Sequence, residues 1–167
     1  LSGESILEVI LYMKRREMMP TPEMPQKVSS ISAVFPAYND AGTIPSMVLT
    51  ALLALRQVTD DYEVVVTNDG SADNTAAVLE ELSSRYPELK VIHHPANQGY
   101  GCALRTGFSN ATKDWVFYTD GDAQYNPMEL IDLTKAISKD VDVINGYKIS
   151  RHDPWIRVVV GRLYHYI

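Results

Sequence analysis

The feature that most constrains the fold is a regular alternation of short apolar runs and longer amphipathic segments between residues 30 and 147. The apolar runs predict strands at 30–35, 62–67, 90–94, 114–119 and 142–147, and the segments between them predict helices at 43–57, 73–86, 101–111 and 127–138. Continuous apolar strands are typical of a sheet covered on both faces. The alternation therefore predicts an α/β fold with a doubly wound, mainly parallel sheet.

The first 29 residues stand apart from this alternation. Residues 4–18 predict a helix with an apolar face, and "PTPEMPQ" (20–26) predicts a stiff linker because of its three prolines. We therefore expect an N-terminal helix and Pro-rich linker over 1–29 and one α/β domain over 30–167. The chain opens on Leu1 and stops in "GRLYHYI" without a cap or turn. We interpret it as part of a longer protein, with the domain truncated at its C-terminal end.

The composition narrows the class of protein. The 167 residues are 46% apolar and 22% charged, which is ordinary for a globular domain, and the net charge of −6 disfavours nucleic acid as a partner. A single cysteine, Cys102, excludes an internal disulfide. No apolar run approaches the roughly 18–20 residues that a membrane-spanning helix needs. These features predict a soluble chain.

Unusual polar segments follow four of the predicted strands. They lie at 36–40, 68–75, 94–101 and 120–124, and each comes directly after an apolar run. The carboxyl ends of parallel strands meet at one edge of the sheet, which is where open α/β sheets bind ligands. The pattern therefore predicts a binding site at that edge.

Asp120, Asp122 and Gln124 form a set of hard oxygen donors behind the fourth strand. Such a set suits Mg²⁺ or Mn²⁺ better than zinc. A solvated turn is the simpler interpretation of Asp-x-Asp alone, but the preceding apolar strand and the shared edge favour a metal site. An EF-hand is disfavoured because Tyr125 and Ile131 replace the Gly and Glu that its loop needs. A phosphatase with an aspartate nucleophile normally carries this motif after its first strand.

The segment "NDGSADNT" (68–75) mixes turn residues with two acids. Asn, Gly and Ser suit a tight turn, and Asp73 can cap the next helix. Asp69 has no such role. We expect it to face the cleft and to accept hydrogen bonds from a base or a ribose.

The segment around residue 100 is glycine-rich without forming a dinucleotide fingerprint. Gly99 and Gly101 allow close approach of a ligand to the backbone, whereas Gly107 suits helix packing. His93 and His94 are neighbours on a strand and so point to opposite faces. We expect them to be structural residues instead of metal ligands.

Four motifs in this order and spacing resemble a known family. "FPAYND", "NDGSADNT", "NQGYGCALRTG" and "YTDGDAQYNPMEL" are similar to the inverting GT-A glycosyltransferases of family 2, and within them to dolichol- and polyprenol-phosphate sugar transferases. The resemblance covers roughly residues 30–165. It implies the GT-A, Rossmann-like version of the predicted fold.

The resemblance assigns roles by position. It implies a donor-binding set of Pro36, Ala37, Tyr38, Asp40, Asp69, Gly101, Gly121 and Lys148. It implies that Asp120 and Asp122 are catalytic and hold the metal with help from Gln124, and that Arg157 and Arg162 meet the acceptor phosphate. Asp40 stands where Glu is commoner and Asn68 where Asp is common, so the choice between UDP and GDP stays open.

The implied activity is transfer of a sugar, with inversion and with Mg²⁺ or Mn²⁺, from a UDP- or GDP-sugar to a polyprenyl phosphate. The basic segment 148–167, with aromatics among its cations, favours an acceptor at the cytoplasmic face of a membrane, reached through segments missing from this chain. A solvated helix face is the simpler interpretation of that segment. Other candidates are a sugar-nucleotide-binding module without turnover, a transferase acting on a soluble or polysaccharide acceptor, and a nucleotidyltransferase or phosphatase of similar topology.

Overall fold

A computed structural model describes residues 9–13, 28–120 and 125–146. These residues form one six-stranded sheet with the strand order β4-β3-β2-β5-β1-β6. The strands are β1 (Val9–Met13), β2 (Ile31–Ala37), β3 (Tyr62–Asn68), β4 (Leu89–His93), β5 (Trp115–Tyr118) and β6 (Val143–Gly146). The helices are α1 (Ile44–Val58), α2 (Thr75–Arg85), α3 (Tyr100–Asn110) and α4 (Leu130–Thr134).

The sheet is mainly parallel, as the sequence predicts. β2 pairs in parallel with both β3 and β5, and β3 pairs in parallel with β4. Strand β1 runs antiparallel to both of its neighbours, β5 and β6. The carboxyl ends of β2, β3, β4 and β5 therefore lie at one edge, and the segments that follow them are brought together there.

The N-terminal helix predicted for residues 4–18 is wrong for residues 9–13. This stretch is strand β1, inserted between β5 and β6 and paired with both. A short apolar run such as "VILYM" fits either periodicity, and its β-branched and aromatic residues favour a strand once sheet partners are available on both sides. The remainder of the predicted helix and the 20–26 linker lie outside the described residues.

Apolar side chains from both faces of the sheet form two packed layers. Along β2, Ile31, Ala33 and Phe35 face the larger layer with helices α1, α2 and α4, whereas Val34 faces the smaller layer beneath α3. All seven residues of β2 are buried, which fits a central strand covered on both sides. The doubly wound prediction is confirmed for the described part of the chain.

The predicted helix at 127–138 is shorter than expected. Asn126 caps a 3₁₀ turn at Pro127–Glu129 by accepting a hydrogen bond from Met128 N at 3.0 Å, and α4 follows it. After α4 the backbone continues in i to i+3 bonds, such as Lys135 N to Asp132 O at 3.2 Å. This tightening ends the α-helix early. Within the described residues, no helix has the length and apolar character required to cross a bilayer.

Candidate active site

A cleft of about 410 Å³ opens at the carboxyl ends of β2, β3 and β5. It is lined by Pro36, Ala37, Tyr38, Asp40, Asp69, Asn97, Gly99, Tyr100, Ala103 and Asp120. The lining therefore comes from four separate stretches of sequence that the parallel sheet brings to one edge. This is the edge at which the sequence predicts a site.

The turn after β2 and the turn after β3 are hydrogen-bonded to each other beside the cleft. Asn39 adopts φ +57°, a left-handed conformation that Asn tolerates better than most residues. Its backbone N–H donates to Ser71 Oγ at 3.0 Å, and its side-chain oxygen accepts from Ala72 N at 2.8 Å. The turn after β2 is thus tied to the turn after β3.

The carboxylates of Asp40 and Asp73 accept further hydrogen bonds within and between these two turns. Tyr38 N donates to Asp40 Oδ2 at 2.9 Å, so Asp40 organises the turn whose residues line the cleft. Asp73 accepts from Thr75 N and Thr75 Oγ1, at 2.9 and 2.5 Å, and from Ala41 N at 3.2 Å. The hydrogen bond from the Thr75 side chain is the main cause of a lowered pKa at Asp73. Asp73 accepts from the first N–H of α2, as predicted, but it lies one residue before the N-cap, Asn74, whose side chain makes no capping bond.

Asp69 binds the loop before α3, on the other side of the cleft. Only 3% of it is exposed. Oδ1 accepts from Gln98 N at 2.9 Å and from His94 Nδ1 at 2.7 Å, and Oδ2 accepts from Gly99 N at 2.9 Å. One buried carboxylate therefore holds both ends of the loop that leads into α3, at His94 and at Gln98 and Gly99.

These hydrogen bonds favour the ionised form of Asp69. Burial by itself would raise the pKa of Asp69, but hydrogen bonds from Gln98 N, His94 and Gly99 N outweigh it, so the pKa lies below its ordinary value. Because a carboxylate only accepts, His94 donates from Nδ1, and its Nε2 lies 2.9 Å from Thr106 Oγ1. The structural role predicted for His94 is confirmed.

Gly70 allows the loop after β4 to pass close to the turn after β3. It adopts φ +64°, and a Cβ at this position would lie 2.3 Å from the backbone carbon of Ala96. No side chain fits there. The glycine is required both by its backbone conformation and by the loop that passes over it.

Asn68 has a reason to differ from the commoner Asp. Its Nδ2 donates to His93 Nδ1 at 2.9 Å, and its Oδ1 accepts from Ser71 N at 3.2 Å. A carboxylate here would have to accept from His93 Nδ1, which would leave Nε2 of the neutral ring without a proton for Glu80. His93 also contacts Glu80 Oε1 through Nε2 at 2.8 Å, so it too has a structural role.

Asp120 follows β5 and faces the cleft, and two phenol hydroxyls meet it. Tyr118 OH donates to Asp120 Oδ1 at 2.9 Å, and Tyr100 OH donates to the same oxygen at 2.5 Å. The two hydroxyls also contact each other. Within residues 28–120 and 125–146, no hydrogen bond reaches Oδ2 of Asp120.

The donor chemistry of Asp120 fits a hard divalent cation. A carboxylate oxygen that accepts no hydrogen bond from the described residues, at the end of a strand, is a suitable ligand for Mg²⁺ or Mn²⁺. Among the described residues, no three His, Cys, Asp or Glu side chains are grouped to hold a metal ion. Of the predicted metal ligands, Asp120 is the one that these residues include.

The structure brings most of the described predicted residues together. The cleft lining includes Pro36, Ala37, Tyr38, Asp40, Asp69 and Asp120. Gly101 is exposed in the first turn of α3 and is not part of the lining. Gly121, Asp122, Gln124, Lys148, Arg157 and Arg162 lie outside the described residues.

Tyr100, Asn97 and Ala103 line the cleft without having been predicted there. All three lie in or beside "NQGYGCALRTG", the glycine-rich motif whose ligand role we assigned to its glycines alone. Gly99, singled out from the sequence for close approach, is in the lining at φ +92°. Gly107 packs as expected, since a Cβ there would lie 2.5 Å from Val34 Cγ1.

Comparison with known proteins places the chain among glycosyltransferases. It is 32% identical over 141 residues to an undecaprenyl-phosphate 4-deoxy-4-formamido-L-arabinose transferase of Sodalis glossinidius (strain morsitans), covering 83% of this chain and 43% of that protein. The protein of the same name from Proteus mirabilis (strain HI4320) is 30% identical over 140 residues, covering 83% and 43%. The chain thus spans less than half the length of these relatives.

Solved structures of similar fold lead to the same group. The mannosyltransferase PcManGT of Pyrobaculum calidifontis, in complex with GDP-Man and Mn²⁺, matches with a TM-score of 0.55 and 27% identity over 63% of this chain and 31% of that chain. The glucosyl-3-phosphoglycerate synthase of M. tuberculosis matches with a TM-score of 0.50 and 25% identity over 64% and 40%. These matches support the GT-A version of the fold.

The family model that matches describes glycosyl transferase family 2, and it covers residues 32–159. That range contains the four strand-end segments that build the cleft. It also contains the predicted metal ligands and Arg157. The chain therefore belongs to glycosyl transferase family 2.

Proposed function

We propose that this chain carries the donor-binding part of a glycosyltransferase that transfers a sugar from a nucleoside diphosphate sugar to a polyprenyl phosphate, with inversion. The observation that carries the proposal is the cleft at the carboxyl ends of the parallel strands, with Asp69 and Asp120 in its lining, in a chain of this family. Relatives named for transfer involving undecaprenyl phosphate support the lipid acceptor. A similar structure with GDP-Man and Mn²⁺ supports the donor and the metal.

The nucleoside would lie between the turn after β2 and the anchored loop. Pro36, Ala37, Tyr38 and Asp40 line one side of the cleft, and Asp69 lines the other. Asp69 accepts three hydrogen bonds from described residues of the protein, two at Oδ1 and one, from Gly99 N, at Oδ2. Its remaining acceptor position would receive a base N–H or a ribose hydroxyl.

The diphosphate would lie toward the end of β5. Asp120, with Asp122 and Gln124, would hold a divalent cation, and Lys148 would meet the donor phosphates. When bound, the cation would neutralise the charge that develops on the leaving diphosphate. Both Mg²⁺ and Mn²⁺ suit these oxygen ligands.

Opposite charges on the chain and on a lipid phosphate support the proposed acceptor. Arg157 and Arg162 lie in a basic segment of an otherwise acidic chain and would bind the acceptor phosphate. A phosphate monoester has a second pKa near 6, so it is largely anionic at neutral pH and needs no general base. An anionic nucleophile would attack the anomeric carbon from the face opposite the diphosphate. The reaction would then take place at the cytoplasmic face of a membrane.

A soluble acceptor is the second candidate. It is favoured by the structural similarity to glucosyl-3-phosphoglycerate synthase, whose name gives a soluble phosphorylated product. A module that binds a sugar nucleotide without turnover is a third. Product formation distinguishes both from the lipid phosphate transferase.

The test offers UDP- and GDP-sugars with Mn²⁺ to the full-length protein that contains this chain, together with a short-chain polyprenyl phosphate, the matching free polyprenol, or 3-phosphoglycerate. We expect transfer to the lipid phosphate alone, abolished in Asp122→Asn and strongly reduced in Arg157→Ala. Asp132→Asn and Arg85→Ala, which alter exposed residues of α4 and α2, are the matched controls and should stay active. Transfer to 3-phosphoglycerate without transfer to the lipid would contradict the acceptor, and binding without transfer would support the non-catalytic module.

A further inference from the structure

The most unusual cluster beside the cleft consists of Tyr100, Tyr118 and Asp120. The two hydroxyls contact each other and both donate to Asp120 Oδ1, at 2.5 Å from Tyr100 and 2.9 Å from Tyr118. Hydrogen bonds to an ionised acceptor are stronger than those between neutral groups. One oxygen of this carboxylate therefore accepts from two adjacent hydroxyls.

The two tyrosines are fixed by different parts of the fold. Tyr118 lies in β5, is 5% exposed, and packs edge-to-face against Phe108 of α3, with ring centroids 5.8 Å apart. Tyr100 is the first residue of α3, is 54% exposed, and lines the cleft. The cluster thus joins the start and the second half of α3 to the end of β5.

The position of Tyr100 depends in turn on Asp69. The loop that precedes Tyr100 is held by bonds from Gln98 N and Gly99 N to that buried carboxylate. The loop therefore links the hydrogen bonds at the end of β3 to those at the end of β5 through the backbone from Gly99 to Tyr100. It ends on the one predicted metal ligand that the described residues contain.

We propose, on the basis of the function proposed above, that Tyr100 and Tyr118 are positioning residues for Asp120. By binding Oδ1, their hydroxyls fix the rotation of the carboxylate and leave Oδ2 for the divalent cation of the donor complex. Partners of this kind orient metal ligands, and their loss commonly lowers metal affinity about 10–100-fold. Neither tyrosine needs to touch the donor for this role.

Two other roles would give different results. Tyr100 lines the cleft, so its hydroxyl could bind the nucleotide directly, which would affect binding with and without metal alike. The hydroxyl pair could also serve only the packing of α3 on β5, which would affect stability and not the metal. The experiment therefore needs nucleotide binding in the presence and absence of metal, together with thermal unfolding.

The test measures binding of UDP and of GDP by calorimetry, each with Mn²⁺ and with EDTA, for wild type, Tyr100→Phe, Tyr118→Phe and the double variant. Tyr62→Phe is the matched control, because it also loses a bonded hydroxyl, one that accepts from Arg56 Nε at 2.8 Å, at the opposite edge of the sheet. We expect each site variant to weaken binding with Mn²⁺ about tenfold and to leave binding in EDTA within twofold. The control should match wild type.

Equal weakening with Mn²⁺ and with EDTA would overturn the proposal in favour of direct nucleotide contact. Unchanged binding in both single variants and in the double variant would overturn it in favour of packing. Both results require that wild type binds a nucleoside diphosphate more tightly with Mn²⁺. If wild type shows no such dependence, the proposed function fails and the positioning role fails with it.

Discussion

Asp69 and Asp120 both follow a parallel strand at the same edge of the sheet, yet the protein treats them differently. Asp69 is 3% exposed, and its two oxygens accept from two backbone N–H groups and an imidazole. Asp120 is half-buried, and the two tyrosine hydroxyls bind one of its oxygens. The first acid belongs mainly to the wall of the cleft, while the second keeps an oxygen for a ligand.

An acid at a strand end is therefore not by itself evidence of ligand contact. What distinguishes the two is the kind of donor around them. Backbone N–H groups of a loop cannot turn away without moving the loop, so Asp69 and the loop at 97–99 form one unit. Phenol hydroxyls can turn to water, so Asp120 is the more adaptable of the two.

Removing the carboxylate of Asp69 should have the largest effect. Asp69→Ala leaves two backbone donors and an imidazole without their acceptor, so we expect the free energy of unfolding to fall by about 3 kcal/mol. Urea denaturation followed by circular dichroism measures the change. Asp120→Ala is the matched variant, and it should cost about 1 kcal/mol because its donors can bind water. Equal losses of unfolding free energy in the two variants would contradict the proposed difference between Asp69 and Asp120.

Gly70→Ala tests the close packing behind Asp69. The new Cβ would lie 2.3 Å from the Ala96 backbone, at a φ of +64°, so the loop must shift. We expect a loss of about 2 kcal/mol in the free energy of unfolding. Gly42→Ala is the control, since nothing lies within 4 Å of its added Cβ, and it should change stability little. A neutral Gly70→Ala would show that the loop at 96–97 is not held against this turn.

Gly99→Ala should have a smaller effect than Gly70→Ala. Its added Cβ meets no atom within 4 Å, so the cost comes from the φ of +92° alone. We expect about 1 kcal/mol, measured in the same denaturation series. A cost larger than that of Gly70→Ala would place the tightest constraint at the helix entry instead of at the turn after β3.

The smallest effect concerns acid stability. The pKa of Asp69 is lowered in the folded state, so its contribution is fully present above the ordinary carboxyl value of 3.8 and is lost as the pH falls below it. Wild type should therefore lose stability below about pH 4 more steeply than Asp69→Asn, which cannot titrate there. Thermal unfolding between pH 2 and 7 tests this. Parallel pH profiles would mean that Asp69 titrates alike in both states.

The sequence predicts the central part of the fold closely. The strands and helices from β2 to α3 begin and end within two residues of the predicted bounds, because their apolar patterns are long and their turns carry Asn, Asp and Gly. It fails at β1, where five apolar residues fit two periodicities and sheet pairing decides. It overestimates the helix at 127–138, where i to i+3 bonds replace the last turns.

The sequence predicts where the site lies, but not the hydrogen bonds within it. The strand-end rule locates the edge, and six of the predicted donor and metal residues line one cleft there. The bonds of Asp69 to His94 and Gly99 join residues 25 and 30 positions apart, and the bond of Tyr100 to Asp120 spans 20. No local pattern records such contacts, so Asp69 appears from the sequence to be free for a ligand when it is largely occupied by the protein.

The most direct test of the central claim is the binding of UDP and GDP to wild type and Asp120→Asn, each with Mn²⁺ and with EDTA. We expect one of the two nucleotides to bind wild type more tightly with Mn²⁺, and a saturating concentration of about 100 times the dissociation constant to stabilise the protein by about 2.7 kcal/mol. Asp120→Asn should retain the binding seen in EDTA and lose the increase with Mn²⁺. A full Mn²⁺-dependent increase in Asp120→Asn, or no binding of either nucleotide to wild type, would contradict the account.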